Sequence, residues 1–459
     1  MANSPAASIE RWTRRHQSAL LLALVVLGAI LRALLVLRSP TPYGYVFDFY
    51  HEAIQKLYAL GRLPVAADCW QCYHPPLLPL LGLPLYALGK AVSGGPAAGL
   101  GDPALRFVAP LSLVCGAITA YYSYRILRLY RFRGVELIVG TALILIFPCL
   151  LISSYGIEAD ILLTALMTAF LYYLLKFLHL RRAHPAAAVR LGVLAGLACA
   201  TKYTGVLAPA ILVAAAVTWK TPPRLRSSLT RGVLLAIVVC VAIGSWKYLD
   251  NVRQHGTPFF ANGSAQQGFS ISERPSFWRR YDFTTLRLGR LLRLVWNEER
   301  RGPLTDLPFY RSVWTTMHAM AWSDMTLFSD PSRHGYEREI YPRKAIYPEL
   351  VSSVLCLGLV PDGLAIAGVV VTLRRRALWP LALTAVITWT VYVAWFVAQE
   401  SWALKTKYIL FLLPIYVVYT LLGLRWLRRL SVEAGTIALL LLASLVVSAH
   451  LYLLNFAWG

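Results

Sequence analysis

The densest group of chemistry-bearing side chains is Tyr43-Gly-Tyr-Val-Phe-Asp48-Phe-Tyr-His51-Glu52, which closely follows the first long apolar block. If residues 47–60 form a helix, Asp48, His51 and Glu52 stand at i, i+3 and i+4 and share one face. A carboxylate beside Phe47 and Phe49 would have a raised proton affinity, which suits a general base. The competing reading is an amphipathic helix lying at a membrane surface with its polar face in water. A second group follows. Gly61-Arg-Leu-Pro64 precedes Cys69-Trp-Gln-Cys72-Tyr-His74-Pro-Pro-Leu77, and a further apolar stretch, 77–90, comes next. That stretch is too short to cross a bilayer and suits a re-entrant or surface helix.

Further along stand Glu158 and Asp160, a second acidic site able to orient a substrate or, with Asp48, to offer hard oxygen ligands to a divalent ion. An N-terminal helix cap is the alternative for Asp160, since a helix N-terminus favours negative charge. Cys69 and Cys72 form a C-x-x-C with only His74 as a further ligand nearby. A disulfide or two free thiols fits better than zinc. The other five cysteines lie in apolar segments and read as small packing residues.

The elements that position these groups are membrane helices. Hydrophobic residues make up 58% of the 459 residues and charged residues 15%, well below the roughly 25% charged of soluble domains. The apolar residues come in blocks such as Ser18–Leu37 and Ala434–Phe456. About 20 such residues at 1.5 Å rise span a bilayer core, and only a helix satisfies its own backbone there. Eleven blocks qualify: 18–37, 106–128, 134–154, 158–178, 189–201, 203–219, 230–248, 350–373, 378–398, 408–424 and 434–456. The pair around Thr201-Lys202-Tyr203 is the weakest division. The first block reads as a retained anchor, with no small-residue cleavage site after it.

Charge sets the orientation. One set of short segments collects Arg11, Arg14, Arg15, then Arg125 to Arg133, Lys176 to Arg190, Lys220 to Arg231, Arg374–Arg376 and Arg425 to Arg429. The opposite short loops hold only Lys202, Lys405 and Lys407. The N-terminus is therefore expected in the cytoplasm and the C-terminus outside, with two long outer loops, 38–105 and 249–349. The net charge of +23 is mostly this topology signal. It points to anionic headgroups and away from nucleic acid. Three parts follow: an N-terminal membrane module, 1–248, containing the first outer loop; the large loop 249–349; and C-terminal helices, 350–459. In the large loop His318, Trp322, Asp324, Trp296 and Trp314 are further candidates for substrate contact.

The order of the pieces resembles the GT-C superfamily of membrane glycosyltransferases, in the branch of dolichyl-phosphate-mannose protein mannosyltransferases and bacterial lipid-linked-sugar transferases. The resemblance rests on an acid past the first helix, the G-x-x-P at Gly61 and Pro64, and Tyr73-His74-Pro-Pro-Leu. It also rests on Gly156-Ile-Glu158-Ala-Asp160, on Leu191 to Gly205 (LGVLAGLACATKYTG), and on Lys405-Thr-Lys407-Tyr408 running to Pro414. It covers most of 20–220 and again about 400–420. It implies an all-α polytopic membrane protein, a GT-C-like bundle of about 11 transmembrane helices with two long extracytoplasmic loops. It further implies an inverting sugar transfer from a polyprenyl-phosphate donor to an acceptor glycan, lipid or protein at the outer face.

By that carry-over Asp48 is the base. The sequence departs from the commoner Asp–Glu pair because Phe49 follows Asp48, so Glu52 stays an alternative, and Asp68 is more distant. His51, His74, Glu158, Asp160 and Tyr408 become substrate contacts, and Lys202, Lys405 and Lys407 become partners of the lipid phosphate, since cations stabilise a leaving anion. Snorkelling at helix ends is the alternative for the lysines. No cofactor is required, and a divalent cation is allowed. The Arg- and Ala-rich composition points to a plasma membrane, with the endoplasmic reticulum as the alternative. A transporter or flippase of lipid-linked intermediates is the rival reading. It would need polar residues at mid-helix depth and paired broken helices, whereas the candidate acids cluster at helix ends.

Overall fold

A computed structural model describes residues 5–38, 49–94, 101–179, 184–220, 222–260, 284–286, 312–323, 348–397 and 406–458. Asp48, Lys405, Asp324 and Trp296 lie outside the described residues. The described chain is all helical. Eight of its helices are long and apolar enough to cross a membrane: Gln17–Leu37, Pro103–Leu129, Ala159–His179, Leu225–Gly244, Leu350–Thr372, Arg376–Ala394, Thr406–Leu430 and Val432–Leu454. Their outer faces expose large apolar side chains, among them Leu22, Ile30, Val238, Ile366, Leu440 and Val447. Such a belt has a place against lipid and none against water.

The other three expected spans are shorter. Residues 134–154 divide into Gly134–Ile146 and Pro148–Ser153. Pro148 supplies no N–H and pushes Phe147 out of helical geometry, to ψ 112°. Thirteen residues rise only about 20 Å against a core of about 30 Å. The doubtful pair is two helices: Pro185–Thr201 ends at an extended Lys202 (φ −158°, ψ 153°) before Tyr203–Val206 and Leu207–Thr218.

The first outer segment also departs from expectation. Its helix is Tyr50–Leu60, preceded by Phe49 in the left-handed region at φ 51°. The helix thus begins after Phe49, and the part of the expected face at 47–48 lies outside the described residues. His51 and Glu52 are adjacent in the helix and point about 100° apart. Gly61, at φ 63°, closes the helix and donates its N–H to Leu57 O, which gives the G-x-x-P segment a structural use. The apolar stretch expected to lie short of a span is the helix Leu77–Ser93.

Two helices are the most enclosed. Ala159–His179 is 83% buried and Thr406–Leu430 78%, against 22% for Gln17–Leu37. The inner pair carries Asp160 and Lys407. A second tight crossing joins Pro348–Thr372 to Leu413–Leu430, where Gly368 and Gly423 bring the backbones together. A Cβ on either glycine would overlap the other helix's backbone. Buried hydroxyls of Thr119, Thr141 and Thr201 donate to the carbonyl four residues earlier, as membrane helices allow.

Candidate active site

Three chain breaks meet at one end of the two enclosed helices. Glu158 sits just before the first residue of Ala159–His179, and Asp160 lies in its first turn. Lys202 is the extended link after Pro185–Thr201. Lys407 and Tyr408 belong to Thr406–Leu412, a 3-10 stretch interrupted at Ile409 (φ −119°, ψ 18°). Each break releases side chains from a helical face and turns them inward.

The groups form two crossed ion pairs. Lys202 Nζ donates to both carboxylate oxygens of Asp160, at 2.8 and 3.1 Å. Lys407 Nζ donates to Glu158 Oε1 at 3.0 Å. All four side chains are less than 10% exposed. Tyr408 ties the pairs together, because Lys202 Nζ lies 4.2 Å from its ring centroid. Two buried cations thus face two buried anions, the arrangement that offsets the desolvation cost of each. With an ammonium on each carboxylate, the charge of Glu158 and Asp160 is met by lysine without a divalent ion. No group of three or more His, Cys, Asp or Glu able to hold a metal occurs among the described residues.

The His–Pro–Pro segment closes over this cluster. Pro76 caps Leu77–Ser93, which fixes His74 between rings: 4.0 Å from Tyr73, 5.8 Å from Tyr50 and 5.7 Å from Tyr203, centroid to centroid. Tyr50 in turn lies 5.9 Å from Lys202 Nζ. Tyr203 OH donates to Tyr73 O at 2.7 Å and accepts from Asn251 Nδ2 at 2.6 Å. Between the His–Pro–Pro turn and Ala159 is a cavity of about 10 Å³, lined by Tyr50, Pro64, Gln71, Cys72 and His74. That is room for about one water. Gln71 Oε1 is buried there with no hydrogen-bond partner among the described residues. A Cys69–Cys72 disulfide closes the turn that carries Gln71.

His74, Glu158, Asp160, Lys202, Lys407 and Tyr408 are therefore brought together, with Tyr50 as the link. The other two described candidates stand on the Tyr50–Leu60 helix. His51 is 1% exposed, and burial pushes its imidazole down to about 4. Glu52 is half-buried. Burial raises its proton affinity, while a Trp70 backbone N–H and Lys56 oppose the rise. Asp68, bonded to Arg62 at 3.0 and 3.3 Å, has its carboxyl held down chiefly by that guanidinium.

The three described large-loop candidates, Trp322, Trp314 and His318, each pack against another part of the chain. Trp322 is 1% exposed and lies against Gly358 and Phe147, and Trp314 stacks on Trp389 at 5.6 Å. His318 Nδ1 lies 2.6 Å from Asp362 Oδ2 and its Nε2 2.8 Å from Leu355 O. Tyr416 OH donates to Asp362 Oδ1 at 2.5 Å. Leu355 O only accepts, so Nε2 donates to it and Nδ1 faces Asp362. Sequence reasoning missed Asp362, although an acid beside Pro361 within an apolar span was a visible signal. Tyr50 and Asn251 carried no signal of their own.

The helical fold and part of the sequence are similar to those of known membrane glycosyltransferases. Residues 100–246, which hold Glu158, Asp160 and Lys202, match the family model for dolichyl-phosphate-mannose-protein mannosyltransferase. The fold is similar to the archaeal oligosaccharyltransferase AglB from Archaeoglobus fulgidus, solved with an inhibitory peptide and a dolichol-phosphate. The TM-score is 0.52 and the identity 15%, over 96% of this chain and 56% of that one. ArnT from Cupriavidus metallidurans is more distant. Its apo structure gives a TM-score of 0.40 at 18% identity, over 89% of this chain and 77% of that one. Its structure with undecaprenyl phosphate gives 0.38 at 19%, over 88% and 76%. No curated protein matches the sequence.

Proposed function

We propose that the protein transfers a sugar from a polyprenyl-phosphate-linked donor to an acceptor hydroxyl at the outer face of the plasma membrane, with inversion at the anomeric carbon. In this reading all eleven apolar segments cross the membrane, the N-terminus is cytoplasmic, and the ion-paired cluster faces outward. The observation that carries it is the pair of buried lysines, Lys202 and Lys407, ion-paired with Asp160 and Glu158.

The acceptor oxygen attacks the anomeric carbon as the bond from that carbon to the phosphate oxygen breaks. Asp48 takes the acceptor proton, and the polyprenyl phosphate leaves with the electron pair. Charge grows on the leaving phosphate, so ammonium groups already aligned beside it stabilise the transition state without reorganising. An ammonium has three donors. Lys202 gives two of its donors to Asp160, which leaves the third for a phosphate oxygen. Glu52 is the alternative base, because burial raises its proton affinity. The AglB structure, which contains a dolichol-phosphate, supports this donor class.

The test is transfer from labelled polyprenyl-phosphate sugars by reconstituted protein. Asp48→Asn should lower the rate by at least about 100-fold, the scale of general-base catalysis, with Lys202 and Lys407 substitutions also impairing it. Full transfer by a well-expressed Asp48→Asn variant would remove Asp48 from the role, and a loss of transfer in Glu52→Gln would then assign it to Glu52.

A further inference from the structure

We infer that the basic end of the bundle carries a binding site for the phosphate of an anionic phospholipid, built from Tyr121, Arg125, Tyr172, Tyr173, Lys176 and Arg190. These residues lie in the last turns of Ala109–Leu129 and Ala159–His179 and at the start of Pro185–Thr201. Arg125 is clamped between two phenols. It donates to Tyr121 OH at 2.5 Å and to Tyr172 OH at 2.7 Å. Its guanidinium carbon also lies 5.5 and 5.1 Å from the two ring centroids. Lys176 Nζ sits 5.6 Å from the Tyr172 centroid, and Arg190 6.0 Å from that of Tyr173. Tyr122 joins the rings, its hydroxyl 3.5 Å from that of Tyr173.

The cluster is almost all donor. A phenol oxygen that accepts from Arg125 still has its own proton to give, so Tyr121 and Tyr172 each keep one donor. Among the described residues no carboxylate answers the cations. Neither 121–133 nor 172–190 contains an Asp or Glu, and among the described residues none of Arg125, Lys176 and Arg190 is ion-paired. Several sheltered cations elsewhere have acids: Lys90 has Asp102, Lys202 has Asp160, Lys407 has Glu158 and Arg425 has Glu136, while the buried Arg32 donates to the carbonyls of Gly28 and Leu145. The acceptor missing from this set is an anion.

Its position names the source. Two of the helices are candidate spans, so their ends lie at headgroup depth, where tyrosine rings settle and anionic lipid phosphates are concentrated. Lys176 and Arg190 are exposed and Arg125 is half-buried, so a headgroup can reach all three from the side. Cations at helix C-termini also complement the helix dipole, but that effect needs neither the phenol clamp nor a phosphate.

The test is native mass spectrometry of the detergent-purified full chain, titrated with phosphatidylglycerol or phosphatidylcholine. The wild type should bind phosphatidylglycerol about tenfold more tightly, the scale of one or two charge-assisted hydrogen bonds. Arg125→Gln should bring the two lipids near parity, and Tyr172→Phe should narrow the gap. Lys176→Gln, at an exposed position, repeats the test should Arg125→Gln fold poorly. Arg231→Gln, an exposed cation of the same short-loop set, should change nothing. Equal binding of both lipids by the wild type overturns the site. So does a loss in Arg231→Gln as large as in Arg125→Gln, which would mean diffuse charge. Displacement of phosphatidylglycerol by millimolar inorganic phosphate alone would make free phosphate the ligand and overturn the lipid assignment.

Discussion

Replacing Lys202 by Met keeps most of the stem's packing and leaves the Asp160 carboxylate in place without its ammonium. At 2.8 Å and an effective dielectric of ~20, the direct attraction is about 6 kcal/mol. The two side chains are only 5% and 1% exposed, so solvent screens little of it. The observable loss is smaller, because the intact pair also carries the desolvation cost of both ions. Breaking a buried pair by removing one partner costs about 3–5 kcal/mol, and Asp160→Asn should fall in the same range. The double variant Lys202→Met/Asp160→Asn leaves no orphaned charge and should recover about 2 kcal/mol or more relative to the sum of the singles. Equilibrium unfolding of the detergent-purified protein by SDS titration, followed by tryptophan fluorescence, measures all four corners of the cycle. Lys247 and Asp250, at 3.4 Å with Asp250 36% exposed, form the internal control. Lys247→Met should cost less than about 1 kcal/mol through its lost charge. Single substitutions at 202 and 160 within 1 kcal/mol of wild type, or strict additivity in the double, would refute the buried pair.

Burial holds His51 neutral down to about 4, whereas an unfolded histidine titrates near 6.5. Its contribution is complete above about pH 6.5 and is lost as pH falls toward 4, because only the unfolded chain takes up the proton there. The difference is about 3 kcal/mol at most, and His51→Phe should flatten unfolding midpoints across that window; an unchanged profile would show that His51 is not the group responsible. His318→Ala should cost about 2 kcal/mol by leaving Asp362 and Leu355 O without their partner. Hydrogen exchange should then speed in Val313–Ser323, and exchange as slow as in wild type argues against the clasp. Gly423→Ala meets the backbone of Leu364 and should destabilise by about 1–3 kcal/mol, while Gly363→Ala, in open space, should be neutral or slightly stabilising. Equal unfolding midpoints for the two would rule out the tight crossing.

Much of the fold was legible because a membrane imposes simple physics on a chain. Apolar length reveals a span, and eight of the expected spans are helices long enough to cross. Where expectation and structure differ, a local backbone rule had been outweighed by periodicity. Pro148 divided an apolar block of adequate length, and the left-handed Phe49 started the outer helix after the face that was to include Asp48. The large-loop residues show the opposite error. His318 and Trp322 looked available for substrate on composition, yet they seat a helix against Asp362, Gly358 and Phe147. Nothing local encodes that use, since the partners stand 25 or more residues away along the chain.

By itself the sequence determined the helical class, the apolar spans, and which acids and lysines were exceptional enough to need explaining. Lys202 and Lys407 were conspicuous as cations among neutral short loops, and Glu158 and Asp160 as acids at the mouth of an apolar helix. Only the tertiary structure paired them, Lys202 with Asp160 across 42 residues and Lys407 with Glu158 across 249. The physical reason is burial. A charge can enter the enclosed centre of the bundle only beside its opposite, and which opposite it meets depends on how helices far apart in sequence pack, not on the order of residues along the chain.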